Sequence, residues 1–228
     1  MKQAVYIFLT IAFLSAAFMN RQEKKRISFF GDSITEQGAK SGGYIRQLDT
    51  LLSKKGQSGR YDLLGAGISG NKVYDLYLRM DDDVLSKNPD VVVIWIGVND
   101  VWHKRTSGTG TDADKFEKFY NAIIRKLKEK NITVYLCTPA AIGEKFDNTN
   151  ELDGDLNKYS NIIRSIAAQN QLKVIDYRKA LFDYIKSNNP ENKDRGILTT
   201  DGVHLNPKGN MFVANLIYDQ LHGDGIIK

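Results

Sequence analysis

Asp90-Val91-Val92-Val93-Ile94-Trp95-Ile96 carries no polar side chain after its first residue. Successive side chains of a strand point to opposite faces, so a strand that is apolar at every position must be covered on both sides. That suits the middle of a parallel sheet. On its C-terminal side, Phe116, Phe119, Tyr120, Ile123, Ile124 and Leu127 form one apolar stripe and predict a helix over 116–130. A strand at 132–137, a helix at 156–169 and a strand at 172–175 follow. Helices at 177–187 and 207–221 complete the chain, the second with Pro207 in its first turn, where a missing N–H costs nothing. On the N-terminal side stand a strand at 27–30, a helix at 44–53, a strand at 61–64 and a helix at 73–85. Strands alternating with helices predict an α/β fold, with a five-stranded parallel sheet between two helical layers and right-handed crossovers.

The chain has 228 residues, room for one α/β domain with a substantial core. Hydrophobic residues make up 42% and charged residues 26%, as in an ordinary globular protein. The net charge of +5 comes from 32 Lys and Arg scattered among 27 Asp and Glu. No recognition module accompanies that charge, so it reads as a solvated surface and not as a nucleic-acid interface. Cys137 is the single cysteine, which excludes an internal disulfide. It ends an apolar run and reads as a small buried hydrophobe. His103, His204 and His222 include no pair at metal-ligand spacing.

Residues 1–17 read as a secretory signal: a basic start, an apolar run from Ala4 to Leu14, then Ser15-Ala16-Ala17. Cleavage after Ala17 leaves a basic segment, 18–26, ahead of a single domain over 27–228. The alternative is an uncleaved anchor, because no charge occurs between Gln3 and Asn20, close to the ~20 residues of a spanning helix. Either reading predicts an exported protein, periplasmic or extracellular. It is membrane-attached only if the segment is retained. No cysteine follows the apolar run, which excludes a lipid-modified N-terminal cysteine.

Ligands of such sheets bind beyond the carboxyl ends of the strands. Strand one runs into Gly31-Asp32-Ser33-Ile34-Thr35, where Ser33 can project its hydroxyl into the crevice and Asp32 or Ser33 can equally cap a turn or helix. Strand two runs into Gly65-Ala66-Gly67-Ile68-Ser69-Gly70-Asn71, which matches the glycine spacing of a dinucleotide loop. Against that reading, the loop follows the second strand, and no acidic residue ends a strand about 20 residues later. The other reading is a backbone brought close to a substrate, with one N–H aimed at it. Strand three runs into Gly97-Val98-Asn99-Asp100, where Asn99 is either an amide donor or a turn residue. Near the C-terminus, Asp201-Gly202-Val203-His204 puts a carboxylate three residues before an imidazole, close enough to hold one ring nitrogen as N–H and free the other to accept a proton.

These four segments resemble the four blocks of the SGNH (GDSL) hydrolase family, in the family's order, from residue 31 to residue 204. The resemblance implies a flavodoxin-like sheet and serine-dependent ester hydrolysis without metal or cofactor. It assigns Ser33 as nucleophile, His204 as base and Asp201 as its orienter. The N–H groups of Ser33 and Gly70 and the side chain of Asn99 become oxyanion donors. Segments 101–111, 138–153 and 186–200 are expected to rim the site as loops. They are mostly polar, which favours a short acyl group such as acetyl on a polar alcohol such as a sugar. Trp102 is then a candidate to stack on a sugar ring, and Asp32 a second candidate substrate contact. A lysophospholipase or thioesterase is the alternative esterase. A non-catalytic carbohydrate-binding protein of the same fold is the alternative outside catalysis.

Overall fold

A computed structural model describes residues 23–228. The expected signal or anchor, 1–17, and most of the basic segment lie outside the described residues. The rest of that segment belongs to the fold, because β1 spans Lys25–Gly31 and begins two residues before Ile27. The other strands are β2 (Tyr61–Gly67), β3 (Val91–Trp95), β4 (Thr133–Cys137) and β5 (Lys173–Ile175). They form one parallel five-stranded sheet in the order β2-β1-β3-β4-β5. β3 is the middle strand, as its two-sided apolar pattern predicts. Val91, Val93 and Trp95 enter the core on one face, and Val92 and Ile94 enter the core on the other. Each such side chain contributes roughly 1.5–3 kcal/mol of burial free energy, and a polar residue at any of these positions would forfeit it.

The helices, in chain order, are α1 (Ser33–Gly38), α2 (Tyr44–Lys54), α3 (Val73–Asp83), α4 (Val98–Thr106), α5 (Ala113–Glu129), α6 (Asp153–Asn170), α7 (Tyr177–Asn188) and α8 (Pro207–Gly223). α2, α7 and α8 pack one face of the sheet, through Leu48, Leu181 and Ile217 among others. α3, α5 and α6 pack the other, through Leu76, Ile123 and Ile163. Cys137 is buried in β4 at 3% exposure. No described helix is long and apolar enough to cross a membrane.

Two features depart from the sequence-based expectation. α4 is helical where a turn and a loop were expected, so residues 101–106 of the first expected rim loop are in fact helix, while α1 is the helix of the two alternatives, turn or helix, left open after Asp32. The glycines of the second block also serve a different purpose. Gly65 and Gly67 lie inside β2, and a Cβ on Gly67 would sit 2.1 Å from the Glu36 nitrogen and 2.5 Å from the Thr35 carbonyl carbon. Gly67 makes room for α1 against the strand, and Gly65 for Ala39 and Ile45 beyond it.

Candidate active site

The order β2-β1-β3-β4-β5 places β1 between β2 and β3, so the segments leaving all three strands open side by side at one edge. The chain passes to opposite sides of β1 on either side of that strand, and a crevice at such a switch point is where doubly wound sheets bind ligands. Ser33 lies two residues beyond β1, Gly70 three beyond β2 and Asn99 four beyond β3.

Ser33 is the first residue of α1 and is 8% exposed. Asp32 caps that helix, its Oδ1 accepting from the Ile34 N–H at 3.0 Å. Asp32 is 2% exposed, so its carboxyl group is committed to the fold beneath Ser33. Of the two roles the sequence left open for it, the geometry supplies the cap. Burial pushes its carboxyl up to about 7, a nearby Asp100 adds to this, and the Ile34 N–H and His204 oppose it.

Ser33 Oγ lies 2.9 Å from His204 Nε2. His204 Nδ1 lies 2.7 Å from Asp201 Oδ2. The second carboxylate oxygen, Oδ1, accepts from the backbone N–H groups of Val203 at 2.9 Å and His204 at 2.8 Å. Burial alone would raise the Asp201 carboxyl, but the His204 ring and these two N–H groups hold it below the ordinary carboxylate range. With Nδ1–H donating to this anion, Nε2 is an acceptor aimed at the Ser33 hydroxyl.

The loop carrying this pair is fixed from below. Glu144, fully buried, accepts from three consecutive backbone N–H groups: Ile197 at 2.7 Å, Leu198 at 2.6 Å and Thr199 at 2.8 Å. The Thr199 hydroxyl then accepts from the Gly202 N–H at 3.1 Å, and the Gly202 carbonyl accepts from the Gly143 N–H at 2.9 Å. Two of the expected rim loops are thereby knitted together under Asp201 and His204.

On the other side of Ser33, Gly70 has φ +77°, a conformation that favours glycine. Neither its N–H nor that of Ser33 has a hydrogen-bond partner among the described residues. Asn99 is 3% exposed and donates one Nδ2–H to the Asn71 carbonyl at 3.1 Å, leaving its second N–H uncommitted. Three N–H donors without internal partners thus belong to the segments around one serine hydroxyl.

Sequence reasoning did not single out His103, Arg79 or Glu144. His103 lies one helical turn after Asn99 on α4, and a Cβ on Gly70 would lie 3.9 Å from its Cε1. Partial burial and the Lys72 cation hold its imidazole below the usual histidine range, favouring the neutral form. Trp102 is half-buried on the same helix, packed against both cores, with its ring 5.9 Å from that of His103. Among the described residues, no three His, Cys, Asp or Glu side chains are grouped to hold a metal ion.

Comparison with known proteins gives four results. Residues 29–211 match the family model described as the GDSL-like Lipase/Acylhydrolase family. The crystal structure of an acetyl xylan esterase is 63% identical to this chain, with a TM-score of 0.85, covering 86% of this chain and 99% of that one. An acetylxylan esterase from Geobacillus stearothermophilus is 26% identical over 205 residues, 83% of this chain and 90% of that protein. An uncharacterized lipoprotein of Bacillus subtilis (strain 168) is 23% identical over 249 residues, covering 100% of both chains.

Proposed function

The chain belongs to the GDSL-like lipase/acylhydrolase family and is a carboxylic ester hydrolase, and from that premise we propose that it removes acetyl groups from a carbohydrate with Ser33 as its nucleophile. The observation that carries the reading is the continuous contact from Ser33 Oγ to His204 Nε2 at 2.9 Å and from His204 Nδ1 to Asp201 Oδ2 at 2.7 Å. A serine hydroxyl is a weak nucleophile until a base takes its proton, and that contact supplies the base and its orienting anion.

The steps follow from the geometry. Ser33 Oγ attacks the ester carbonyl carbon while its proton passes to His204 Nε2. Negative charge gathers on the carbonyl oxygen, and the N–H groups of Ser33 and Gly70 and the free N–H of Asn99 receive it. His204 returns the proton to the leaving sugar hydroxyl, and the acetyl group remains on Ser33. Water attacks next, His204 again taking the proton, and acetate leaves as Ser33 Oγ recovers its hydrogen. Asp201 stays ionised throughout and stabilises the imidazolium. No step requires a metal or cofactor.

Three considerations support acetyl on a sugar. The two acetylxylan esterase relatives act on such an ester by name. The expected rim segments are polar, and a long acyl chain gains its ~0.8 kcal/mol per buried CH₂ only against apolar walls. Trp102 and His103 stand on the helix that carries Asn99, and we assign them to the sugar side of the site. The N-terminal 17 residues act as an export signal in this reading, ahead of one hydrolase domain that starts at β1. Export agrees with a lipoprotein relative aligned along the full length.

The test is kcat/KM for p-nitrophenyl acetate, butyrate, octanoate and palmitate, alongside acetate release from acetylated xylo-oligosaccharides, with Ser33→Ala as control. A steep fall beyond butyrate, acetate release from the sugar and an inert Ser33→Ala protein fit the reading. A maximum at octanoate or longer would move the substrate to lipids. Turnover by Ser33→Ala would remove the nucleophile assignment.

A further inference from the structure

We propose that Arg79 is a positioning residue for ester hydrolysis, one that sets the three oxyanion-donor segments relative to each other and reaches Asn99 through Asn71. The inference rests on the reading of Ser33, Gly70 and Asn99 as donors. Arg79 stands on α3, outside all four motif blocks, and its side chain is 14% exposed.

Its planar guanidinium makes four hydrogen bonds to different parts of the fold. Nη2 donates to the Gly31 carbonyl at 2.7 Å and to the Ala66 carbonyl at 3.0 Å. Nε donates to Asn71 Oδ1 at 2.6 Å, and Nη1 to Asp83 Oδ2 at 2.7 Å. The group also lies over the Phe30 ring, 4.7 Å from its centroid. Gly31 ends β1 two residues before Ser33, Ala66 is near the end of β2 before Gly70, and Asn71 directly follows Gly70. Asp83, one helical turn along α3, fixes which way the fork faces.

Asn71 makes the arrangement more than a staple. Arg79 grips its side-chain oxygen while its backbone carbonyl holds the Asn99 amide at 3.1 Å. That second bond decides which Asn99 N–H is spent internally and where the other one points. An oxyanion donor has to meet its target at about 2.7–3.1 Å, and a misplacement of about 1 Å can cost 10²-fold in rate. A guanidinium can span these acceptors because its donors are fixed in one plane. A lysine offers a single point of charge and cannot.

The experiment measures kcat and KM for p-nitrophenyl acetate, with thermal unfolding, in Arg79→Lys, Asn71→Ala and Asn99→Ala and in each of the first two combined with Asn99→Ala. Asn71→Ala removes only the half-buried side chain that Arg79 grips, so it reads the relay even where Arg79→Lys lowers stability. Arg79→Lys and Asn71→Ala should each lower kcat by ~10- to 10²-fold with KM nearly unchanged, because the loss falls on the transition state. In the Asn99→Ala background the same two changes should lower kcat much less, since coupled residues are not additive. An unchanged kcat in Asn71→Ala, or losses that simply multiply in the double variants, overturns the positioning role while the donor reading stands. An unchanged kcat in Asn99→Ala overturns the donor reading, and the inference with it.

Discussion

Asn99 illustrates how a single side chain divides its work. One amide N–H is fixed by the Asn71 carbonyl at 3.1 Å, and the other has no partner among the described residues. In the proposed mechanism, replacing it with alanine removes a donor that matters only once charge has moved onto the carbonyl oxygen. Asn99→Ala is therefore expected to lower kcat by ~10²–10³ while KM stays nearly constant. Steady-state kinetics on p-nitrophenyl acetate check this, and a change confined to KM would make Asn99 a ground-state contact. The contact of Ser33 with His204 and Asp201 was legible only through the resemblance carried by four short blocks in order, since each block alone reads equally well as a turn or cap. Asp201 and His204 are three apart and need nothing distant to define their contact. Arg79 and Glu144 were not legible. Arg79 joins nearby Asn71 and Asp83 to Gly31, 48 residues away, and the partners of Glu144 lie 53 to 55 away at Ile197, Leu198 and Thr199, separations that only the folded chain closes. His103 gave one usable signal, its spacing of four from Asn99, but that signal speaks only once α4 is known to be a helix.

At the scale of elements, the long helices and the strands followed from periodicity, and the two short helices did not. α1 has six residues and ends in glycine, and α4 opens on Val98-Asn99-Asp100, which reads as a turn. Helices this short are marginal alone, since nucleation outweighs the few hydrogen bonds gained. Here packing makes them: α1 rests directly on Gly67 of β2, and Val98 and Val101 of α4 are buried on opposite faces of the sheet. The loops after β4 and α7 depend on tertiary contact in the same way, with Glu144 as the joint. Its two oxygens satisfy three backbone N–H groups of the segment leading to Asp201. Glu144→Gln replaces one acceptor oxygen with a donor that faces an N–H, and leaves that N–H buried and unpaired. The expected loss is ~1–3 kcal/mol of stability, read as a lower Tm. Activity should fall alongside, because the same segment holds His204 against Ser33. A Tm equal to wild type would mean the loop holds its shape without the carboxylate.

Across the whole molecule, the architecture places two carboxyl groups, Asp32 and Asp100, deep between the sheet and its helices at 2% and 0% exposure. Neither has a basic partner at salt-bridge distance among the described residues. Burial is the main reason both carboxyls are pushed up to about 7. Unfolded, each would titrate near 3.9. Between pH ~4 and ~7 these two groups therefore bind more protons in the folded protein than in the unfolded chain, and the stability they contribute falls as pH rises through that window, with His103, held below its ordinary value, acting in the opposite sense near its top. Asp176, Asp201 and Asp224 are held below their ordinary values and act in the opposite sense, but in a lower window, below pH ~4. Asp100→Asn separates the two effects. The amide oxygen can still accept from the Val73 N–H, which meets Asp100 Oδ1 at 3.1 Å, and the buried charge is gone. At pH 5 the Asp100 carboxyl is protonated in the folded state and ionised only in the unfolded chain, so the variant's advantage in unfolding temperature should be at its smallest in the range. At pH 8 the parent carries an anion in the core, so the variant should unfold at the higher temperature. Thermal unfolding of both proteins from pH 5 to 8 measures the gap. Groups away from Asp100 are shared and cancel in the difference, and Asp32, which the Asp100 charge helps to raise, adds to the gap in the same direction. Two Tm curves running parallel over that range would mean that Asp100 has the same charge folded and unfolded, and that its burial carries no pH dependence.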